Sequence, residues 1–205
     1  MTEFVITKFR TEGFVMLQID KLYRRHAIPD LLQQMGLRGV GVEVGVATGA
    51  YAEVILERWQ CSKLIMVDSW AHREGHDFGW NFDNNKFQKM YEDCVKLMSR
   101  FGERAEFCRK WSLDAAASFP DQHFDFIFLD ASHFYDDVVK DLEAWLPKLK
   151  PGGIFAGHDY VEDCPSIGVK RAVTEFAARH HFKVHVTEHF ENDWPSWLIK
   201  PWRPQ

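Results

Sequence analysis

The stretch Val40-Gly41-Val42-Glu43-Val44-Gly45-Val46-Ala47-Thr48-Gly49 constrains the fold more than any other part of the chain. A short β-branched run carries one acidic residue and meets two glycines four positions apart. Tyr51-Ala52-Glu53-Val54-Ile55-Leu56 follows with a helical pattern. That order spells strand, tight turn, helix, with the acid near the strand's carboxyl end. Gly45 is free to take positive φ or to let a ligand approach the backbone, and Gly49 allows helix and strand to pack closely. Such a turn is expected to hold a nucleoside-containing cofactor.

Further strands are expected at Leu64–Val67, closing on Asp68, at Ala105–Cys108, and at Phe124–Leu129, closing on Asp130. Ile154–Gly157 delivers His158 and Asp159, and strand-like runs recur at Lys183–Thr187 and Trp197–Ile199. Between them the apolar spacing predicts helices from Lys86 to Phe101, Leu113 to Phe119 (with Ser112 as its N-cap), Tyr135 to Leu149, and Gly168 to His180. A further helix is expected from Asp20 to Met35, interrupted at Pro29 and ended by Gly36. Residues 1–19 alternate loosely, as an added strand, a lid or an arm. Strands alternating with helices predict a parallel sheet covered on both faces, an α/β doubly wound fold in one domain spanning 1–205, with 1–37 as an N-terminal arm and helix.

Glu43, Asp68, Asp130 and the His158-Asp159 pair all fall at strand carboxyl ends, where sheets of this kind bind ligands. Glu43 precedes Asp68 by 68 − 43 = 25 residues, near the spacing at which an acid meets ribose hydroxyls. The turn itself is not the dinucleotide pattern, because Glu43-x-Gly45-x-x-x-Gly49 replaces G-x-G-x-x-G. A carboxylate just before the turn repels a pyrophosphate and favours a cofactor bearing sulfonium and ammonium groups. Charge therefore prefers S-adenosylmethionine to NAD.

Glu43-x-Gly45-x-x-x-Gly49, Asp68 and the Leu149-Lys150-Pro151-Gly152-Gly153 turn together resemble class I S-adenosylmethionine-dependent methyltransferases over about residues 38–187. The resemblance implies a Rossmann-like seven-stranded sheet, mostly parallel, with the last strand antiparallel. It also implies Gly45 near the methionine part of the cofactor, Asp68 on the ribose, and Lys110–Ser112 near the adenine. The cofactor-binding set expected on this basis is Glu43, Gly45, Ala47, Thr48, Gly49, Asp68, Ser69, Trp111, Ser112 and Asp130. A narrower resemblance, carried by Asp130-Ala131-Ser132-His133 and Gly157-His158-Asp159-Tyr160, is to metal-dependent O-methyltransferases acting on sugar hydroxyls. It implies Asp130 and Asp159 as ligands of a divalent metal, Mg²⁺ or Mn²⁺, and His133 as general base, with Asp130 beside it in catalysis. His158 stands where that family has an acidic ligand, and completes the expected set Asp130, His158, Asp159. Two rival readings are a two-histidine, one-carboxylate iron oxygenase built on Asp130, His133 and His158, and a cofactor-binding module without chemistry.

Each of these residues also has a duller role. For Asp130 it is a cap on the following helix, and for His158 the orientation of Asp159. Asp136, Asp137 and Asp141 fit a helix N-terminal bias and a solvated face. The segment Ser69–Asn85 lacks periodicity, and its Trp70, His72, His76, Trp80 and Asn84 are candidate acceptor contacts. With a formal charge of −5 the chain is not expected to bind nucleic acid. Nor does it carry a run long enough to span a membrane. Cys61, Cys94, Cys108 and Cys164 lack C-x-x-C spacing and fit reduced thiols in a cytoplasmic protein. The expected partner is a small-molecule hydroxyl acceptor, sugar or glycoside, with the Trp-rich carboxyl terminus lining its site or contacting a second copy of the chain.

Overall fold

A computed structural model describes residues 4–11, 14–74, 81–162, 164, 167–190 and 193–201, with residues 8–11 and 14–18 given by their backbone alone. His76 and Trp80 fall outside the described residues. In chain order the elements are β1 (Phe4–Thr11), β2 (Phe14–Leu22), α1 (Ala27–Gln34), β3 (Val40–Val44), α2 (Ala50–Arg58), β4 (Lys63–Asp68), α3 (Asn84–Met98) and β5 (Ala105–Arg109). Then follow α4 (Ser112–Ser118), β6 (Phe124–Leu129), α5 (Tyr135–Trp145), β7 (Leu149–Gly157), α6 (Val169–His180), β8 (Val184–Val186) and β9 (Trp197–Ile199).

Seven strands form one sheet in the order β5-β4-β3-β6-β7-β9-β8, and β9, the last strand of the chain, is antiparallel to both its neighbours. The α/β doubly wound sheet expected from the sequence is therefore the fold observed. Its hydrophobic strands bury both faces, as crossover helices require. Leu64, Met66, Phe126 and Phe128 face α1, α2 and α3, whereas Ile65, Val67, Ile127 and Leu129 face α4, α5 and α6. Trp59 is anchored within the first layer by its indole N–H, which donates to Leu37 O at 2.6 Å. Truncating a fully buried ring such as Phe128 to Ala would cost about 3–5 kcal/mol.

The strand order reverses between β3 and β6, and that switch point opens a crevice beyond the carboxyl ends. Three backbone bonds continue the ladder into the crevice: Gly45 N–H to Val67 O (2.8 Å), Asp130 N–H to Val44 O (2.7 Å) and His158 N–H to Leu129 O (3.0 Å). The turns after β3, β6 and β7 are thereby fixed to one another before any side chain acts.

Four expectations change. The helix expected from Asp20 is only Ala27–Gln34, because Phe14–Leu22 pairs antiparallel with Phe4–Thr11 as a separate two-stranded sheet. Pro29 sits in the first turn of α1, where a missing N–H costs nothing, and interrupts no helix. Helix α5 stops at Trp145 before Pro147, and Leu146–Lys148 forms a 3₁₀ turn leading directly into β7, which starts at Leu149. Lys150-Pro151-Gly152-Gly153 thus lies in a strand whose pairing shifts register opposite Asp125. Ser112 is the first residue of α4 and not its cap, a position held by Trp111.

Candidate active site

The glycine turn is built around Asp68. One carboxylate oxygen accepts from the Val46 and Ala47 N–H groups, each at 2.9 Å, and the other accepts from Trp70 N–H at 2.8 Å. A carboxylate offers about four acceptor positions, so the fold uses three and leaves room for one further donor. That is tighter than the two-bond ribose diol contact expected from the sequence. Gly45 has φ +90°, and a Cβ there would meet Asp130 O at 2.1 Å. Gly49 has φ +83°, and its Cβ would meet Cys94 Sγ of α3 at 2.6 Å, so its crowding comes from α3. Thr48 is exposed beside it, and Ser69, half-buried, accepts from Arg109 Nε at 3.3 Å through its carbonyl.

Glu43 is buried, and its Oε2 has no hydrogen-bond partner. Burial raises its carboxyl well above the usual range, helped by Asp130 and Asp68 and opposed by Arg25. An unpartnered buried acid favours its neutral form until a cation arrives. It therefore fits the cationic amino-acid end of the expected cofactor. At the far side of the crevice Trp111 is exposed, while the Ser112 hydroxyl donates to Asp141 Oδ1 at 2.6 Å and accepts from Trp145 Nε1 at 2.9 Å.

The second half of the site lies at the ends of β6 and β7. His133 Nε2 stands 2.8 Å from Asp159 Oδ2 and 3.7 Å from Asp130 Oδ1. Asp130, His133 and Asp159 each present one donor atom within 4.8 Å of the others, a set able to hold a divalent cation. The two acids expected as ligands, Asp130 and Asp159, thus gather with His133, the expected base. His158 Nδ1 lies 2.7 Å from Asp159 Oδ1 but 4.0 Å from Asp130, and its Nε2 is 3.4 Å from Asp193 Oδ1. His158 thus contacts Asp159 directly and approaches Asp130 almost as closely as His133 does.

Burial alone would lower the His133 imidazole, but the Asp130 and Asp159 carboxylates override it and raise the group to about 10. These carboxylates favour the protonated ring, although the buried Nε2 makes no hydrogen bond of good geometry to either. His158 is raised as well, its burial outweighed by Asp159 and Asp130. The two imidazoles hold Asp159 below the usual carboxylate range against the cost of its burial. Asp159 also takes φ +58°, and Ala47 (+50°) and Trp70 (+42°) share that left-handed region at the same sheet edge. Strained non-glycine backbone gathered at one edge is characteristic of a site held in shape by its surroundings.

Arg25 and Asp193 enter the site although no sequence signal marked them. Arg25 Nη1 lies 3.8 Å from Asp130 Oδ2 and its Nε 3.2 Å from Asp193 Oδ1. Other assignments shift as well. Trp70 is a core residue: its indole N–H donates to Ala47 O at 2.8 Å and its ring packs on Tyr91 and Phe107. His72 N–H donates to Asn84 Oδ1 at 2.8 Å, so these two tie the start of the long loop to α3. Asp137 is no merely solvated residue, because Arg73 and the Ser132 hydroxyl both donate to it. Asp141 is buried, and burial lifts it to about 6.

The methyltransferase-domain family Methyltransf_24 matches residues 40–160, more than half of the chain. The chain belongs to that family. Among solved structures it is similar to an O-methyltransferase from Bacillus cereus in complex with SAH (16% identity, TM-score 0.64, covering 85% of this chain and 79% of that one). It is similar also to the O-methyltransferase TomG from Streptomyces achromogenes in complex with SAM (15% identity, TM-score 0.62, covering 85% and 78%). At such identities the likeness concerns the fold, which is that of the class I S-adenosylmethionine-dependent methyltransferases. A curated relative, the uncharacterized protein y4gI of Sinorhizobium fredii, is 24% identical over 139 residues. Those residues are 68% of this chain, which spans about 14% of the relative's length. Neither the iron-oxygenase reading nor the inactive module finds support in these matches. Among the described residues no helix is long and apolar enough to cross a membrane.

Proposed function

We propose that this chain is an S-adenosylmethionine-dependent O-methyltransferase that employs a divalent cation, Mg²⁺ or Mn²⁺, and acts on a hydroxyl of a sugar, glycoside or other small molecule. One observation carries the reading. Asp130 contributes its backbone to the wall against Gly45 and its carboxylate to the Asp130–His133–Asp159 cluster. The turn suited to the methyl donor and the groups suited to hydroxyl activation share that residue.

The bound cofactor supplies an electrophilic methyl on a sulfonium, and a bound cation lowers the pKa of a hydroxyl beside it. Glu43 and Gly45 face the methionine end, Asp68 retains one acceptor position for the ribose, and Trp111 with Ser112 borders the adenine. Asp130 and Asp159 would hold the cation, with His158 in contact with Asp159 behind them. His133 then takes the hydroxyl proton. Beside two carboxylates its ring favours the protonated form, and a cation held by Asp130 and Asp159 would offset their charge and favour the neutral, basic form. Positioning of the acceptor oxygen in line with the methyl supplies much of the acceleration.

Titration calorimetry with S-adenosylhomocysteine tests the cofactor assignment: one site per chain is expected, and no heat at millimolar ligand would overturn it. Thorough chelation should abolish turnover and Mn²⁺ should restore it. Full activity after chelation would remove the cation from the mechanism.

A further inference from the structure

Arg25 reaches the carboxyl edge of the sheet from outside it. It belongs to the turn between β2 and α1, whose backbone closes through Ala27 N–H to Arg24 O and Ile28 N–H to Arg25 O, each at 3.0 Å. The Tyr51 hydroxyl, on the first turn of α2, donates to Arg25 O at 3.0 Å and so pins that turn directly beyond Gly49. The guanidinium carbon lies 5.3 Å from the centre of the Tyr51 ring. Only 25% of the side chain is exposed, and although Asp193 and Asp130 are nearby, the buried Nε makes no hydrogen bond of good geometry. A buried Nε–H with poorly aligned partners is expensive unless a further acceptor meets it.

The amino-acid end of S-adenosylmethionine carries such an acceptor. Its ammonium and sulfonium suit the acidic surroundings of Glu43, Asp68 and Asp130, but its carboxylate meets only repulsion from them. Among the described residues, Arg25 is the side-chain cation that contacts both the first turn of α2 and Asp130. A guanidinium also matches a carboxylate in planar, two-pronged geometry.

We propose that Arg25 is the binding residue for the carboxylate at the amino-acid end of S-adenosylmethionine, delivered to the glycine turn by the segment joining the N-terminal hairpin to α1. The inference rests on the methyl-donor reading above. It gives the N-terminal segment, which lies outside the family match at 40–160, a direct part in cofactor selection.

The experiment compares two probes by calorimetry on the full chain: S-adenosylhomocysteine and its decarboxylated analogue, which keeps the amine and lacks the carboxylate. The wild type is expected to prefer S-adenosylhomocysteine at least tenfold. In Arg25→Ala that preference should fall to within twofold, with the analogue bound as by the wild type, which also shows the variant folded. Arg25→Lys should recover part of the preference. Undiminished preference in Arg25→Ala, or equal weakening of both probes, would overturn the assignment. Failure of the wild type to bind either probe would instead overturn the cofactor reading, and this inference with it.

Discussion

The glycine turn and the Asp130–His133–Asp159 cluster lie side by side, yet they are held in shape by opposite means. The turn is set by the backbone: three N–H groups converge on Asp68, and Gly45 is pressed against the Asp130 carbonyl. The cluster is set by charge, with an imidazole standing between two carboxylates. A backbone-built site keeps its form whether or not its ligand is present. A charge-built one responds to whatever charge enters it. The first arrangement suits recognition of an invariant cofactor, and the second suits chemistry.

The largest effect is expected where the two halves touch. Gly45→Ala places a Cβ 2.1 Å from Asp130 O on a backbone at φ +90°. It should cost about 4 kcal/mol or more of stability in denaturant titration and remove both cofactor and cation binding. A mild effect would mean that turn and cluster are independent. His133→Ala should cut turnover by about 10²–10⁴-fold while leaving S-adenosylhomocysteine affinity within about twofold of the wild type, since the turn does not depend on it. If it also lost Mn²⁺ binding, His133 would be a ligand and the base would lie elsewhere. Asp68→Ala should weaken S-adenosylhomocysteine about tenfold and cost about 2 kcal/mol, because three N–H groups lose their acceptor. Cation binding should survive it.

The smallest effect lies behind the site. Burial lifts Asp141 from an ordinary 3.8 to about 6, so between these values the folded chain holds a proton that the unfolded chain has released. Stability contributed there is complete below pH 4 and falls as pH rises toward 6. Asp141→Asn should flatten that slope in pH-dependent thermal unfolding. An unchanged slope would place the titrating group elsewhere.

The strand ends and their acids were legible because they are local: short apolar runs closing on Asp68, Asp130 and Asp159 announce both the strands and the edge they share. The D-x-x-H spacing likewise showed that Asp130 and His133 meet. That His133 lies 2.8 Å from Asp159 was not legible, since it depends on Asp159 turning to φ +58°. The N-terminal hairpin was hidden by Leu22 and Tyr23, whose spacing continues the pattern of Leu31 and Leu32. Strand pairing with Phe4–Thr11 overrode that local signal. Trp70 looked like a surface aromatic because its loop lacks periodicity, and only the bond to Ala47 O shows that it closes the core under the glycine turn.

The division between a backbone-built cofactor turn and a charge-built cation site is tested most directly by Mn²⁺ titration followed by electron paramagnetic resonance, on the wild type and on Asp159→Asn, with S-adenosylhomocysteine affinity measured on both. One Mn²⁺ site per chain in the wild type, lost in the variant while S-adenosylhomocysteine binds both alike, is the expected result. No Mn²⁺ site in the wild type, or loss of both ligands together in the variant, would contradict it.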